Sequence, residues 1–192
     1  MSIPLLEEAC ARAGDPAIVA SDGRYCYGDL LETSASIASV LLDGARDLKE
    51  ARVAFLLPSN ASYVFVQWGI WRAGGLAVPL CGSHPPPELD YVLADSGASI
   101  VVAHPRFEPV LRPLAEARKL RYLSIPGLLG APRAALPDVA PDRRALMLYT
   151  SGTTGKPKGV VTTHAAIEAQ TASLISTWEW TRRDRILNVL PL

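Results

Sequence analysis

The sequence predicts an α/β fold: a largely parallel sheet flanked by helices on both faces. Three apolar runs, at 52–57, 76–80 and 99–103, are continuous rather than alternating, the pattern of strands buried on both faces. Between them lie segments with apolar residues at helical spacing, which supply the crossovers that parallel strands need. A chain of 192 residues, 49% hydrophobic and 20% charged, has the material for one ordinary core.

The elements follow in order. Leu5, Leu6 and Ala9 form the stripe of a short first helix. Residues 17–20 and 25–27, joined by a turn containing Gly23, read as a hairpin. A helix covers 28–43, where Leu30, Leu31, Ile37, Ala38, Leu41 and Leu42 recur at helical spacing. Strand 52–57 ends at Pro58, Asn60 opens the next helix, and Gly74-Gly75 closes it. Strand 76–80 precedes a helix at 86–96 with Leu89, Val92 and Leu93 inward. Strand 99–103, helix 105–119 and a short strand at 121–125 continue the alternation. Residues 126–144, rich in Pro, Gly and Ala, read as a surface excursion. Strands at 145–149 and 160–162, a helix at 165–178 and a last strand at 185–190 complete the series. The run 63–81 approaches membrane-spanning length, but Gln67, Arg72, Gly74, Gly75 and Pro79 interrupt it, and helix-then-strand fits better.

The chemistry concentrates at 150–159, Thr-Ser-Gly-Thr-Thr-Gly-Lys-Pro-Lys-Gly. Thr150, Ser151, Thr153 and Thr154 are short hydroxyl donors; Gly152, Gly155 and Gly159 let backbone amides approach an anion; Lys156 and Lys158 bring positive charge. Such a mixture suits the phosphates of a nucleotide. It is not a Walker A loop, which needs a Gly-Lys-Ser/Thr step opening a helix. Here Gly155-Lys156 runs into Pro157, which has no N–H to give. Placed between two strands, the loop falls at a strand's C-terminal end, where open α/β sheets bind ligands.

Other features carry less. The formal net charge is zero and no basic stripe is present, which argues against nucleic-acid or anionic-membrane partners. Cys10, Cys26 and Cys81 are odd in number and widely spaced, as expected for idle thiols in a reducing compartment, either the cytoplasm or an organelle matrix or lumen. Glu7 and Glu8 stand where a secretory signal would be basic. His84, His104 and His164 have no metal spacing; His164 is placed to cap the helix after the loop or to face the nucleotide. Trp178 and Trp180 read as aromatic anchors packed on the sheet.

The ten-residue loop resembles the signature loop of the adenylate-forming superfamily: acyl- and aryl-CoA synthetases, adenylation domains and luciferases. Tyr25-Cys26-Tyr27-Gly28-Asp29-Leu30 is similar to its early Y-x-E-L block, with Asp29 where an acid is usual. The segment from Trp71 through Gly74, Gly75 and Pro79 to Leu80 is similar to its second block, and 184–192 to the strand before its next conserved segment. The surroundings of Trp178 to Thr181 and of Ser83 to Leu89 resemble the malonyl-CoA synthetase branch.

The resemblance implies that residues 1–192 are the N-terminal part of an AMP-binding domain, followed in the family by the Mg²⁺-holding acid, the adenine and ribose contacts, and a C-terminal domain with a catalytic lysine. It implies ATP, Mg²⁺ and CoA as cofactors and a carboxylic acid as substrate. Lys158 occupies the loop position that is regularly lysine and is implied as the catalytic phosphate contact, with Lys156 facing solvent. Thr150, Ser151, Gly152, Thr153, Thr154 and Gly155 are implied in nucleotide binding, and Thr150 in holding Mg²⁺. The expected activity is that of an acid–thiol ligase. The alternatives are a domain loading a carrier-protein thiol and a non-catalytic nucleotide-binding or interaction fragment. The isolated piece is expected to be inactive and prone to self-association.

Overall fold

The computed structural model describes residues 3–132, 134–150 and 156–188. Helix α1 (Pro4–Ala11) leads into a hairpin of β1 (Pro16–Ala20) and β2 (Gly23–Cys26), then α2 (Tyr27–Leu42). The main alternation is β3 (Arg52–Leu56), α3 (Ala61–Arg72), β4 (Leu76–Pro79), α4 (Pro86–Asp95), β5 (Ile100–Ala103), α5 (Glu108–Ala117) and β6 (Arg121–Ser124). A long excursion then delivers the chain to β7 (Arg144–Thr150), β8 (Lys158–Thr163) and α6 (His164–Thr177). The six-stranded sheet runs β6-β5-β3-β4-β7-β8. All its neighbours are parallel except β7 and β8, which pair antiparallel.

Successive residues of a strand point to opposite faces, and β3 shows what this does for the core. Val53, Phe55 and Leu57 enter one apolar cluster with α2 and α3 residues such as Ile37, Leu41, Val66 and Ile70. Ala54 and Leu56 enter a second with Leu89, Val92 and Leu93 of α4 and Leu111 and Ala115 of α5. The continuous apolar runs are therefore explained: both faces are covered. Phe55 is fully buried, and truncating such a side chain to Ala costs about 3–5 kcal/mol.

Local chemistry sets the element ends. The Asn60 side chain accepts from the Ser62 amide at 3.1 Å, capping α3. Gly74, with φ +76°, ends the turn after α3 in a conformation that disfavours side chains. The segment read as one helix at 105–119 is a 3-10 turn (Pro105–Phe107) feeding α5.

Two expectations need correction. The strand expected at 185–190 is absent from its described part: residues 185–188 carry no regular structure, with Ile186 and Leu187 68% and 84% exposed. A strand requires a neighbour to take its backbone hydrogen bonds, and no described strand offers one there. Residues 189 and 190 lie outside the described residues. Trp178 does not pack on the sheet either. It is 61% exposed and meets Trp180 edge-on at 5.0 Å.

Candidate nucleotide-binding site

The β7–β8 hairpin presents the loop. Because β7 runs parallel to β4, its last residue, Thr150, lies at the sheet's C-terminal edge, and Lys158 pairs with it across the hairpin. Both side chains are exposed. Ser151, Gly152, Thr153, Thr154 and Gly155 lie outside the described residues. Thr150 and Lys158 are thus placed facing each other where the loop leaves and rejoins the sheet.

The start of β7 is fastened by charge. Arg143 donates to both Asp47 carboxylate oxygens, at 2.7 and 3.0 Å, and to the Gly74 carbonyl at 2.6 Å. Burial alone would raise the Asp47 carboxyl. Hydrogen bonds from Arg143 and the Lys49 amide, with the guanidinium charge, outweigh it and hold Asp47 below the usual carboxylate range. Arg144 binds Glu50 through its backbone amide at 2.8 Å and its Nε at 2.7 Å. Trp71 Nε1 donates to the Ala145 carbonyl at 2.7 Å, tying α3 to the same strand.

The loop end of the hairpin leans on α4. The Tyr149 hydroxyl donates to Asp95 Oδ2 at 2.7 Å. Partial burial first, then the Asp95 hydrogen bond and charge, push the Tyr149 hydroxyl up, so it remains a protonated donor. On the returning arm the Pro157 carbonyl accepts from the Tyr91 hydroxyl at 3.2 Å, with Asp95 Oδ1 an alternative acceptor at 3.4 Å. Lys156 Nζ lies 5.7 Å from the centre of the Tyr91 ring. That exposed contact directs this lysine toward α4, and Lys158 makes no such contact with Tyr91.

Gly159 has a packing role inside the hairpin. It pairs with Tyr149, and a Cβ there would stand 3.1 Å from Met147 Sδ and 3.3 Å from Tyr149 Cζ. The missing side chain leaves room for the tyrosine ring.

His164 is the first residue of α6 and is buried, its ring edge-on to Trp71 at 5.4 Å. Thr163, not His164, caps the helix, accepting from the Ala166 amide at 3.2 Å. Burial, with the nearby Arg143 charge, pushes the imidazole down to about 4, so it is neutral near pH 7. It borders a mainly apolar groove of about 550 Å³ between α1 and α6, lined also by Leu5, Trp71, Ile167 and Ile175. His84 stands 3.7 Å from Glu88 at the start of α4, and His104 Nδ1 accepts from the Arg106 amide. The three histidines are separate.

Sequence reasoning missed Tyr91 and Asp95. Nothing in the spacing joins Asp95 to Tyr149, because only the sheet order brings α4 beside β7. Among the described residues no cluster of His, Cys, Asp or Glu could hold a metal, and no helix is long and apolar enough to cross a membrane.

A family model described as "AMP-binding enzyme" matches residues 6–192. The mitochondrial malonate–CoA ligase of Xenopus laevis is 38% identical over 99% of this chain and 35% of its own length. The ATP-bound structure of MatB from Rhodopseudomonas palustris superposes with a TM-score of 0.83 at 28% identity, covering 100% of this chain and 41% of that one. The Bacillus subtilis o-succinylbenzoate CoA synthetase, solved with its acyl-adenylate intermediate, gives 0.86 at 25% identity over 97% of this chain and 49% of its own. The chain spans about a third of the length of the malonate–CoA ligases it matches.

Proposed function

The chain belongs to the AMP-binding enzyme family, and from that premise we propose that it is the phosphate-gripping, N-terminal part of an ATP-dependent acid–CoA ligase. The observation that carries this reading is the hairpin: Thr150 and Lys158 face each other at the sheet's C-terminal edge, bracketing the Gly-, Ser- and Thr-rich sequence. In the proposed reaction a carboxylate attacks the α-phosphorus of ATP. The bond to the bridging oxygen breaks, pyrophosphate leaves, and an acyl-adenylate remains. A CoA thiolate then adds to the acyl carbon and expels AMP. Malonate is the proposed acid, on the strength of the malonate–CoA ligases among the relatives.

In this scheme the chain positions and stabilises; it forms no covalent bond. Negative charge builds on the departing pyrophosphate, and preorganised donors that meet it lower the barrier. Lys158 supplies the ammonium, Ser151, Thr153 and Thr154 supply hydroxyls, and Gly152 and Gly155 supply unobstructed amides. Mg²⁺ prefers oxygen ligands and is commonly bound through one or two protein oxygens plus substrate phosphates. The exposed Thr150 hydroxyl fits that role, and a bound Mg²⁺ would neutralise phosphate charge.

Lys158→Ala tests the proposal in a protein that carries both half-reactions. Adenylate formation should fall about 10²-fold, the cost of losing one preorganised charge-stabilising donor. Transfer from supplied acyl-adenylate, which releases no pyrophosphate, should change little. Equal losses in the two half-reactions would refute the assignment of Lys158.

A further inference from the structure

The geometry points to Asp95 and Tyr91 of α4 as positioning residues that clamp both arms of the β7–β8 hairpin at its loop end. The inference rests on the reading that this hairpin carries a phosphate site. Asp95 holds the outgoing arm through the Tyr149 hydroxyl at 2.7 Å, one residue before Thr150. Tyr91 holds the returning arm through the Pro157 carbonyl at 3.2 Å, one residue before Lys158. Two residues one helical turn apart therefore grip the chain on both sides of the Thr150–Lys158 pair.

Toward its loop end the hairpin is otherwise held by apolar packing, Met147 and Tyr149 resting against the cluster that α4 and α5 share with the sheet. Among the described strands β8 pairs with β7 alone, with Val160 and Val161 51% and 41% exposed, and β7 meets β4 through one registered pair, Ala77 with Leu146. The Arg143 and Arg144 fastenings lie at the opposite end of β7. Gly159 pairs with Tyr149 across the hairpin, and a Cβ there would come within 3.1 Å of Met147 Sδ and 3.3 Å of Tyr149 Cζ, so the glycine keeps the space beside that ring open. Asp95 touches no substrate in this arrangement. It acts through Tyr149, setting where Thr150 and Lys158 stand relative to each other.

The test uses the 192-residue chain with Tyr149→Phe, Tyr91→Phe, Asp95→Ala and Asp95→Asn. Hydrogen exchange of amides at 148–150 and 158–160 is read without ligand, and Mg²⁺–pyrophosphate affinity by calorimetry. Loss of a hydrogen bond to a charged acceptor should speed exchange at those amides about tenfold in Tyr149→Phe and Asp95→Ala, and weaken pyrophosphate binding by a similar factor. Tyr91→Phe should free mainly 158–160. Asp95→Asn keeps an oxygen acceptor for Tyr149 and should restore most of both readouts, which a loss of mere packing would not explain.

Unchanged loop-end exchange in Tyr149→Phe and Asp95→Ala would overturn the clamp. So would faster exchange spread equally over β3 and β5, which would mark Asp95 as a general stabiliser. Faster loop-end exchange with undiminished pyrophosphate affinity would overturn the positioning role. If the unaltered chain bound no pyrophosphate, the phosphate reading would fail, and the exchange data alone would still decide the clamp.

Discussion

Asp47→Ala should destabilise the chain far more than its place in a connecting loop suggests. The substitution removes both carboxylate acceptors of Arg143 and the acceptor of the Lys49 amide at 2.8 Å. The Arg143 and Asp47 side chains are only 19% and 25% exposed, so water replaces the lost partners poorly. Hydrogen bonds to charged groups contribute roughly 1.5–3 kcal/mol each when well shielded. Arg143 keeps its bond to the Gly74 carbonyl, and residual exposure screens part of the rest, giving a net loss of about 2–3 kcal/mol. For a chain of this size that is a fall in Tm of roughly 5–10 °C. Circular dichroism melts at pH 7 measure it, with Asp90→Ala as the control. Asp90 pairs with Arg118 at 2.6 Å, but both side chains are about a third exposed, at 39% and 32%. An exposed pair contributes about 1 kcal/mol or less. Equal Tm losses in the two variants would refute the argument that burial, not pairing alone, makes Asp47 matter.

Three further outcomes follow. His164 should make stability pH-dependent in a window of its own: its value lies at about 4 folded against about 6.5 unfolded, so protons bind the unfolded chain first as pH drops. Its contribution is complete above about pH 6.5 and declines by about 3 kcal/mol toward pH 4; urea midpoints should fall through that range in the parent chain and stay flatter in His164→Gln. The 192-residue chain alone should make no acyl-CoA from malonate, acetate or longer acids, since it spans 35% of the Xenopus laevis ligase; steady turnover free of contaminating ligase would overturn that. The chain should also self-associate at high concentration, because Leu148, Val160, Val161, Ile175 and Trp178 are exposed apolar side chains around β8 and α6; light scattering showing a monomer throughout would contradict it.

Much of this protein was legible in the chain itself. Continuous apolar runs separated by helical-period segments specify a parallel sheet covered on both faces, because burial on two sides leaves no polar face to alternate with. Asn60, Pro58 and Gly74 mark boundaries through chemistry that acts within a few residues, and the phosphate-site proposal for 150–159 rests on the same local logic. Tertiary structure alone decided what depends on residues distant in sequence. The Arg143–Asp47 link joins positions 96 apart, and the Tyr149–Asp95 bond joins positions 54 apart. Neither leaves a periodic trace, since each depends on the strand order that sets β7 beside β4 and within reach of α4. The antiparallel direction of β8, by contrast, follows locally, from a connection too short for the crossover that a parallel neighbour would need. The strand expected at 185–190 is missing from its described residues, 185–188, for the complementary reason. An apolar run proposes a strand, but a neighbour must accept its hydrogen bonds, and that neighbour is a property of the fold rather than of the run.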